Sequence, residues 1–519
     1  MNSSVRNQEG QQTAPLAKCM IEHAARGLLR CHFPGHKGRT FSTEGEEILG
    51  RSLKHDLTEV EGLDDLAAPY GPIRDAQALA SLAFGADHTF FLVGGASAGI
   101  MAAVWAAAQE GSTVALPRSS HRSVISALVL SGVRPLWVKP HSLPGVHMPL
   151  PVSFDELDLP GASAVVILSP TYEGLCVPLV GGAESDRVES DCVGGREGTG
   201  SADRRGAERP IIIVDEAHGS HFYFSEKMPR GWLTAGADAC VHGAHKTLGS
   251  LTGSGFLHLK GPRLDRARCA QALAAIQTTS PSYLMMASLD LTRRDMVLHG
   301  EELLDGALCE AGVSRQALSS AGIEYLRLEA PGDPLKLVLP SPQFGVSGPD
   351  LASSLRENGV EVEYAGLLHV VAVFSIGDLP GAGLRFAEAV KRVARATASG
   401  GHPGDGRIAG PGTRPHLDAA LHATRLLSGM GMPEQSISPR QAFQAGSRTV
   451  PIEHTVGYVS AESVYTYPPG AALLVQGEIV PSGFPEMVRS LSASRIHFQG
   501  PGDLSLDTLR IVEDPANAR

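Results

Sequence analysis

The chain has 519 residues, which is too long for one ordinary hydrophobic core, so two or three domains are expected. Hydrophobic residues make up 43% of the sequence, and the formal net charge of −11 is spread over its length without a basic patch. This charge distribution argues against nucleic acid and anionic membranes as partners. The seven cysteines contain no C-x-x-C pair, which predicts reduced thiols and a cytoplasmic location.

The N-terminal part of the chain is predicted to form a lead-in and an arm. Residues 1–15 are polar and lack the apolar centre of a signal peptide, so neither a secretory signal nor an anchor is expected. Apolar residues then recur at helical spacing from Leu16 to Leu29, until the Pro34-Gly35 pair breaks the pattern into an extended segment.

The uncharged stretch from Thr89 to Ala108 is long enough to cross a membrane. Gly94 and Gly95 divide it, however, into a strand (Thr89–Val93) and a helix, so no transmembrane segment is expected. A Gly-rich turn that opens a helix offers free N–H groups and the positive end of the helix dipole to an anion. A phosphate group would suit this turn.

Three further runs rich in aliphatic residues are typical of strands buried on both faces of a parallel sheet, namely Thr113–Leu116, Ala164–Leu168 and Ile211–Val214. The last is followed directly by Asp215. Because the carboxyl ends of parallel strands meet at one edge of the sheet, where ligands bind in α/β folds, we expect the residues after these strands to share one site.

A second signal lies about thirty residues beyond Asp215, where a short apolar run ends in His245-Lys246 among small residues. A lysine in such surroundings is partly desolvated, which lowers its pKa and frees its amine to bond covalently to an aldehyde. An upstream acid can partner a pyridinium nitrogen, and His121 is a candidate for stacking on the ring. The combination indicates a site for pyridoxal 5′-phosphate, and no metal site is predicted.

Several segments together resemble the ornithine/lysine/arginine decarboxylase family, particularly its shorter bacterial-type members. The matching segments are Phe33–Gly38, Gly62–Leu66, Asp215–His221, His245–Leu248, Thr278–Tyr283, Tyr467–Gly470 and Gly477-Glu478. The resemblance implies a fold type I α/β enzyme with an aspartate aminotransferase-like large domain, a mainly parallel sheet and small α/β C-terminal domains.

The resemblance also implies roles for individual residues. It assigns catalytic roles to Lys246, Asp215, His245 and His218, and cofactor binding to Gly95, Ala96, Ser97, His121, Asp215, Ala217, His245, Lys246, Thr278 and Thr279. In this family the segment containing Thr278 and Thr279 reaches the cofactor phosphate of a neighbouring subunit. A homodimer or a higher homo-oligomer is therefore expected. Ala96 and Ala98 stand where similar enzymes usually carry hydroxyl side chains.

The expected domain organisation has five parts. These are an N-terminal lead-in and arm (1–75), a cofactor-binding large domain (76–310) that contains a disordered insertion (181–209), a small α/β domain (311–399), a Gly/Pro-rich linker (400–415) and a C-terminal decarboxylase domain (416–519). Strands of the small domain are predicted at Tyr325–Leu328, Leu335–Val338 and Val370–Phe374.

The predicted function is the α-decarboxylation of a basic amino acid to the corresponding amine and CO2, a reaction of polyamine biosynthesis, with arginine as first choice and lysine or ornithine next. Two alternatives stay open. Another fold type I reaction, such as transamination or aldol cleavage, would use the same lysine and acid. A non-catalytic regulatory homologue would explain the alanines of the phosphate turn and Gly253, where the family usually has glutamine.

Overall fold

The computed structural model describes residues 10–157, 159–179, 209–327, 332–398, 415–467 and 470–513. Some predictions fall outside these residues: those on the start of the lead-in, nearly all of the insertion, most of the linker, and the Pro468-Pro469 pair.

The helices follow the chain from the N-terminal arm to the C-terminal domain. They are α1 (Pro15–Ala25), α2 (Thr43–Ile48), α3 (Pro72–Phe84), α4 (Gly95–Ala107), α5 (Arg122–Ser131), α6 (Phe154–Leu157), α7 (Ala244–Thr247), α8 (Arg266–Ile276), α9 (Tyr283–Ser320), α10 (Gly348–Glu357), α11 (Ala382–Ala398), α12 (Pro415–Gly429), α13 (Pro439–Gln444) and α14 (Phe484–Ala493).

The strands group into one large sheet and several small ones. They are β1 (His88–Leu92), β2 (Thr113–Pro117), β3 (Arg134–Val138), β4 (Ser142–Leu143), β5 (Met148–Pro149), β6 (Ala162–Leu168), β7 (Ile211–Asp215), β8 (Ala239–His242), β9 (Gly255–Leu259), β10 (Lys336–Pro340), β11 (Tyr364–Ala365), β12 (His369–Val373), β13 (Ser447–Pro451), β14 (Val464–Tyr467), β15 (Ala471–Leu474), β16 (His497–Gln499) and β17 (Thr508–Val512).

The central sheet has seven strands in the order β1-β9-β8-β7-β6-β2-β3. The five strands from β8 to β3 pair in parallel, whereas β9 runs antiparallel to both of its neighbours. The mainly parallel α/β sheet expected from the sequence is therefore confirmed, including the four strands predicted around the site.

Both faces of this sheet are covered. Along β7, Ile212 and Val214 pack into a core with α1, α3 and α9, while Ile213 packs on the opposite face with α4, α5 and α8. Because successive side chains of a strand alternate between faces, a strand buried on both sides reads as a continuous apolar run. Strand β7 therefore runs through the core to the carboxyl edge of the sheet, where Asp215 is its last residue.

Helix α9 is longer than predicted. The helical spacing of apolar residues in the sequence predicts a helix from Leu284 to Leu304, but the helix continues to Ser320 and has 38 residues. Its second half keeps a buried stripe at helical spacing, formed by Leu304, Ala307, Ala311, Ser314 and Leu318. The domain boundary predicted between residues 310 and 311 thus falls inside one continuous helix.

Two smaller units follow α9. The first contains the sheet β10-β12-β11 with α10 and α11, and β10 and β12 confirm two of the predicted strands. The predicted strand at Tyr325–Leu328 is wrong over residues 325–327, which form no strand although the Leu326 N–H donates to the Val338 oxygen at 2.9 Å. The second unit contains the sheets β15-β14-β16 and β13-β17.

A search of the helices in the described ranges finds none with the length and apolar character that crossing a lipid bilayer requires.

Candidate active site

Lys246 lies in the single turn α7, directly after β8. A Cβ atom at Gly243 would lie 3.0 Å from the Ala217 oxygen and 3.2 Å from Lys246 Cδ, so glycine at this position leaves room for the lysine stem. The Lys246 Nζ atom lies 2.9 Å from His218 Nε2 and 5.3 Å from the centre of the Tyr172 ring. The lysine amine is therefore held at the carboxyl edge of the sheet between two aromatic side chains.

The amine of Lys246 is electrostatically prepared for nucleophilic chemistry. Burial lowers its pKa, and the negative charges of Asp215 and Glu363 offset this only in part. Burial, together with the positive charges of Lys246 and Lys336, also lowers the pKa of His218 well below its usual value. A neutral imidazole beside the amine can accept or return a proton without adding a second positive charge.

Asp215 occupies the position that the sequence predicted. Its carboxylate is buried, and Oδ1 accepts the Ala217 N–H at 3.2 Å. Burial raises its pKa, whereas the positive charge of Lys246, the hydrogen bond from Ala217 and the proximity of His242 oppose that rise. The structure therefore brings the predicted acid and the predicted lysine together within electrostatic range.

His121 caps the N-terminus of α5, and its Nδ1 accepts hydrogen bonds from the Ser123 N–H at 3.2 Å and the Ser123 hydroxyl at 2.9 Å. Burial, with the charges of Lys246 and Arg122, lowers its pKa to about 4. A β-bridge joins His121 to Ala471 of the C-terminal unit. The predicted stacking residue therefore lies near the lysine as a neutral ring, and the C-terminal unit reaches the same place.

The Gly-rich turn that the sequence predicted to bind phosphate opens α4. Gly95 has a φ of +69°, and its N–H donates to the Gly253 oxygen at 2.7 Å. That N–H was predicted to bind phosphate, but its hydrogen bond to the loop before β9 already uses it. Ala96 and Ser97 follow in the first turn of α4, where backbone N–H groups have no acceptor inside the helix.

The other predicted residues lie in different surroundings. His245 Nδ1 is 2.9 Å from the Ser254 oxygen, which fixes its ring on the loop before β9. Thr278 and Thr279 line a separate cavity of about 570 Å³ beside α3 and α8. The structure does not place these threonines with Lys246 in the same chain, and their predicted contact with a neighbouring subunit stays a prediction.

These residues fit pyridoxal phosphate. A partly buried amine with a lowered pKa suits the aldehyde, and the Asp215 carboxylate suits a protonated ring nitrogen. The N–H groups of Ala96 and Ser97 in the first turn of α4 have no acceptor inside the helix and suit the phosphate, and the neutral ring of His121 stands nearby. Each part of the cofactor thus has a chemically matching group on this chain.

Sequence reasoning missed several residues that surround the amine. Tyr172 lies in a strand-end segment that the sequence singled out, but no role was assigned to it. The charge of Glu363 acts on the pKa of Lys246, and the charge of Lys336 acts on the pKa of His218. Both residues lie about ninety positions or more after Lys246 in the chain. No local pattern marks these two residues, because only the tertiary fold brings them to the site.

A mainly parallel sheet, covered on both faces and carrying a partly buried lysine and a buried acid at its carboxyl edge, defines the class of fold type I pyridoxal-phosphate enzymes. The sequence profile described as "Orn/Lys/Arg decarboxylase, major domain" matches residues 14–184 and 202–332, which is more than half of the chain. The chain belongs to the Orn/Lys/Arg decarboxylase family.

Known relatives extend this match over nearly the whole chain. The arginine decarboxylase of Bacillus subtilis (strain 168) is 31% identical over 521 residues, covering 97% of this chain and 99% of the relative. The lysine decarboxylase LdcA of Pseudomonas aeruginosa is 24% identical, covering 92% of this chain and 75% of the relative. The crystal structure of the Francisella novicida lysine decarboxylase LdcF shares the fold with a TM-score of 0.78 at 17% identity, covering 96% of this chain and 81% of that one.

Proposed function

We propose that this protein is a pyridoxal-phosphate-dependent decarboxylase that converts a basic amino acid to its amine and CO2, with arginine as the first choice and lysine or ornithine next. The Lys246 amine carries this proposal, because burial lowers its pKa and it contacts His218 within range of the Asp215 charge. The arginine decarboxylases among the relatives favour arginine.

The residues divide the work. The bound cofactor supplies an electron sink for the bond electrons that remain when CO2 leaves. Asp215 would pair with the protonated ring nitrogen of the cofactor, and the N–H groups of Ala96 and Ser97 would bind its phosphate. Lys246 would bond to the cofactor aldehyde, and its amine can hold or return a proton at the substrate α-carbon with His218 as its hydrogen-bonded neighbour. The resemblance gave catalytic roles to both His245 and His218, and His218 makes the direct contact with Lys246.

Charge around the amine favours a basic substrate. The two charges that raise the pKa of Lys246 belong to Asp215 and Glu363, and both are carboxylates. Asp215 is committed to the ring nitrogen, which leaves the exposed Glu363 to meet the cation at the end of the substrate side chain. This arrangement favours decarboxylation of a basic amino acid over a reaction on a dicarboxylic substrate.

The open alternatives are weaker than the decarboxylase proposal. Transamination of an acidic substrate would need a cation for its second carboxylate, whereas Glu363 supplies the opposite charge. A regulatory homologue without activity would not need a lysine with a lowered pKa beside a buried acid. We further propose that the chain acts as a homodimer or larger homo-oligomer, in which Thr278 and Thr279 serve the neighbouring site. The cytoplasmic location stays a prediction.

The test is CO2 release from each natural amino acid by the cofactor-loaded protein. We expect activity with a basic amino acid, loss of activity in Lys246→Ala, and no change in Lys227→Met, whose lysine lies in an exposed ion pair with Asp305. Borohydride reduction and peptide mapping should place a pyridoxyl group on Lys246. Glu363→Gln should raise KM for the basic substrate more than it lowers kcat. Bound cofactor without CO2 release from any basic amino acid would refute the proposal.

A further inference from the structure

The loop after β6 carries Tyr172 to the reactive lysine. The Tyr172 ring lies with its centre 4.6 Å from that of the His218 ring and 5.3 Å from Lys246 Nζ. Burial raises the pKa of Tyr172, and the nearby carboxylates of Asp215 and Glu363 raise it further, so the hydroxyl stays protonated. The position of this ring therefore affects how well the lysine amine is shielded from water.

The small unit that follows α9 holds this loop through hydrogen bonds. Lys336 at the start of β10 donates from Nζ to the Thr171 oxygen at 3.1 Å and to the Tyr172 oxygen at 2.6 Å. The Asp333 N–H donates to the Gly174 oxygen at 2.8 Å. These contacts join the backbone of the Tyr172 loop directly to the small unit.

A second set of contacts holds the side chain of Glu173. The Tyr364 hydroxyl donates to Glu173 Oε1 at 2.8 Å, and His369 Nε2 lies 2.9 Å from the Tyr364 oxygen. Burial opposes the charge on Glu173, but the proximity of His369, whose Nε2 lies 3.8 Å from Oε1, and the hydrogen bond from Tyr364 outweigh it and lower its pKa. The loop is thus held on both sides of Tyr172.

Lys336 is unusual among these contacts because it is a lysine with only 1% of its surface exposed. A buried ammonium is costly unless hydrogen bonds or opposite charges compensate it. Here two backbone carbonyls of one loop accept its hydrogen bonds. Gly174 has a φ of +96°, and a Cβ there would lie 3.0 Å from Lys336 Cδ, so the loop is shaped around the lysine stem.

We propose that Lys336 is a positioning residue: by binding the Thr171 and Tyr172 carbonyls, it holds the Tyr172 ring against Lys246 and His218 and ties the small unit to the reactive amine. The assignment uses the proposed function only in treating Lys246 as the reactive group. Loss of the Lys336 hydrogen bonds should let Tyr172 move, admit water to Lys246 and raise the pKa of its amine.

Several ionisable groups act on Lys336. Burial lowers its pKa to about 8, the negative charges of Asp333, Glu173 and Glu363 oppose this change, and Lys246 adds to it. Lys336 in turn acts on the pKa of His218 and Cys176. Near pH 8 the hydrogen bonds from Lys336 therefore change from charge-assisted to neutral, and the loop should loosen as pH rises.

The test measures the pKa of the Lys246 amine in the cofactor-free full-length protein, by competitive acetylation over a pH series and mass-spectrometric peptide mapping. Lys336→Met keeps the apolar stem and removes the donors. We expect slower acetylation of Lys246 at pH 7.5 in this variant, because each unit of rise in pKa lowers the neutral fraction about tenfold. Lys227→Met is the matched control and should leave the pKa and the acetylation rate of Lys246 unchanged. No substrate is involved, so this outcome is independent of whether the protein is a decarboxylase.

Tyr172→Ala separates positioning from simple charge removal. If Lys336 acts through Tyr172, Tyr172→Ala raises the pKa of Lys246 in the same direction, and the double variant adds little further. The proposal would be overturned if the pKa changes of the two single variants add in the double variant, or if Lys336→Met leaves the pKa of Lys246 unchanged. Should Lys336→Met fail to fold, hydrogen exchange in the parent protein decides: protection of the Gly174 and Leu175 amides, corrected for the intrinsic pH effect, must fall above about pH 8 relative to α9. Unchanged protection would also overturn it.

Discussion

Asp215 shows how one buried side chain can be both costly and necessary. Burial raises its pKa, and the Lys246 charge and the Ala217 N–H help to keep it ionised. Asp215→Asn should retain the fold and some cofactor, because the amide has a similar shape. It should lower kcat by on the order of a thousandfold, since an amide cannot hold the proton on the ring nitrogen. Steady-state kinetics, with cofactor absorbance and thermal unfolding as controls, checks this. Near-normal turnover would mean that another group partners the nitrogen.

The phosphate turn gives a second prediction at the scale of single residues. The Gly95 N–H is used by Gly253, so the phosphate depends on fewer backbone donors than the sequence suggested. Ala96→Ser adds a hydroxyl at a half-buried position in this turn, and each charge-assisted hydrogen bond contributes about 1.5–3 kcal/mol.

Ala96→Ser should therefore bind pyridoxal phosphate more tightly in an absorbance titration of the cofactor-free protein. Ala98→Ser serves as the comparison, because Ala98 is 2% exposed and faces Gly94, which leaves its hydroxyl little access to a ligand. Tightening by Ala98→Ser alone would show that the turn binds phosphate from a different side.

Among the elements, those with simple periodicity were predictable. Strands β1, β2, β6 and β7 were found because unbroken apolar runs are typical of strands buried on both faces. The end of α9 was missed because small residues such as Ala307, Ala311 and Ser314 make a weak stripe. Lys336 and Glu363 carried no signal, because their role depends on a distant strand reaching the sheet edge rather than on a local pattern.

A chain of buried hydrogen bonds crosses the central sheet from Glu216, the residue after Asp215, to Thr89. Glu216 is a carboxylate that can only accept, so His242 must donate from Nε2, at 2.8 Å. With His242 neutral, its Nδ1 accepts from His258 Nε2 at 3.1 Å, and His258 Nδ1 accepts from the Thr89 hydroxyl at 2.8 Å. The chain thus joins β1, β9, β8 and the residue after β7 in one direction.

This chain predicts different costs for two substitutions at Glu216. The carboxylate also accepts from the Tyr223 hydroxyl at 2.6 Å and the Trp232 N–H at 3.0 Å. Glu216→Ala leaves these buried donors without an acceptor, and each costs about 1–3 kcal/mol. Glu216→Gln lets the histidines reverse their direction and should cost less. Urea unfolding of the cofactor-free protein checks this order, which equal losses would contradict.

At the scale of the whole molecule, three parts of the chain build the site. The central sheet supplies Asp215 and Lys246, the small unit holds the Tyr172 loop through Lys336, and the C-terminal unit meets His121 at Ala471. Of these contributions, only that of Asp215 and Lys246 could be inferred from residue types and spacing in the sequence. The other two are contacts between units: the sequence carried no signal for Lys336, and it marked the C-terminal segment Tyr467–Gly470 only through the family resemblance.

The ion pair of Arg118 and Glu478 links the central sheet to the C-terminal unit. The guanidinium donates to both carboxylate oxygens, at 2.5 and 2.8 Å, and also to the oxygens of Ala472 and Leu473, each at 3.2 Å. Glu478 is fully buried, and the guanidinium lies 4.8 Å from the Trp137 ring centre. Removing one partner of such a pair should destabilise the protein by about 3–5 kcal/mol, since the other charge stays buried.

The pH dependence of that loss distinguishes the two partners. Burial raises the pKa of Glu478 above 4.5, and Arg118 opposes this rise, so Arg118→Met should raise it further. The folded state then binds a proton that the unfolded state releases, and stability falls as pH rises from about 4.5 through the folded pKa. Arg118→Met should therefore be more destabilised at pH 8 than at pH 5 relative to the parent protein, whereas the Glu478→Gln deficit should shrink as pH rises, because the parent loses stability through its own raised Glu478 pKa and the amide does not titrate. Urea unfolding followed by tryptophan fluorescence, with Trp137 beside the pair, measures both. An Arg118→Met deficit that is equal at the two pH values would show that Glu478 does not hold its charge against burial, and that backbone contacts of Arg118 join the two units instead.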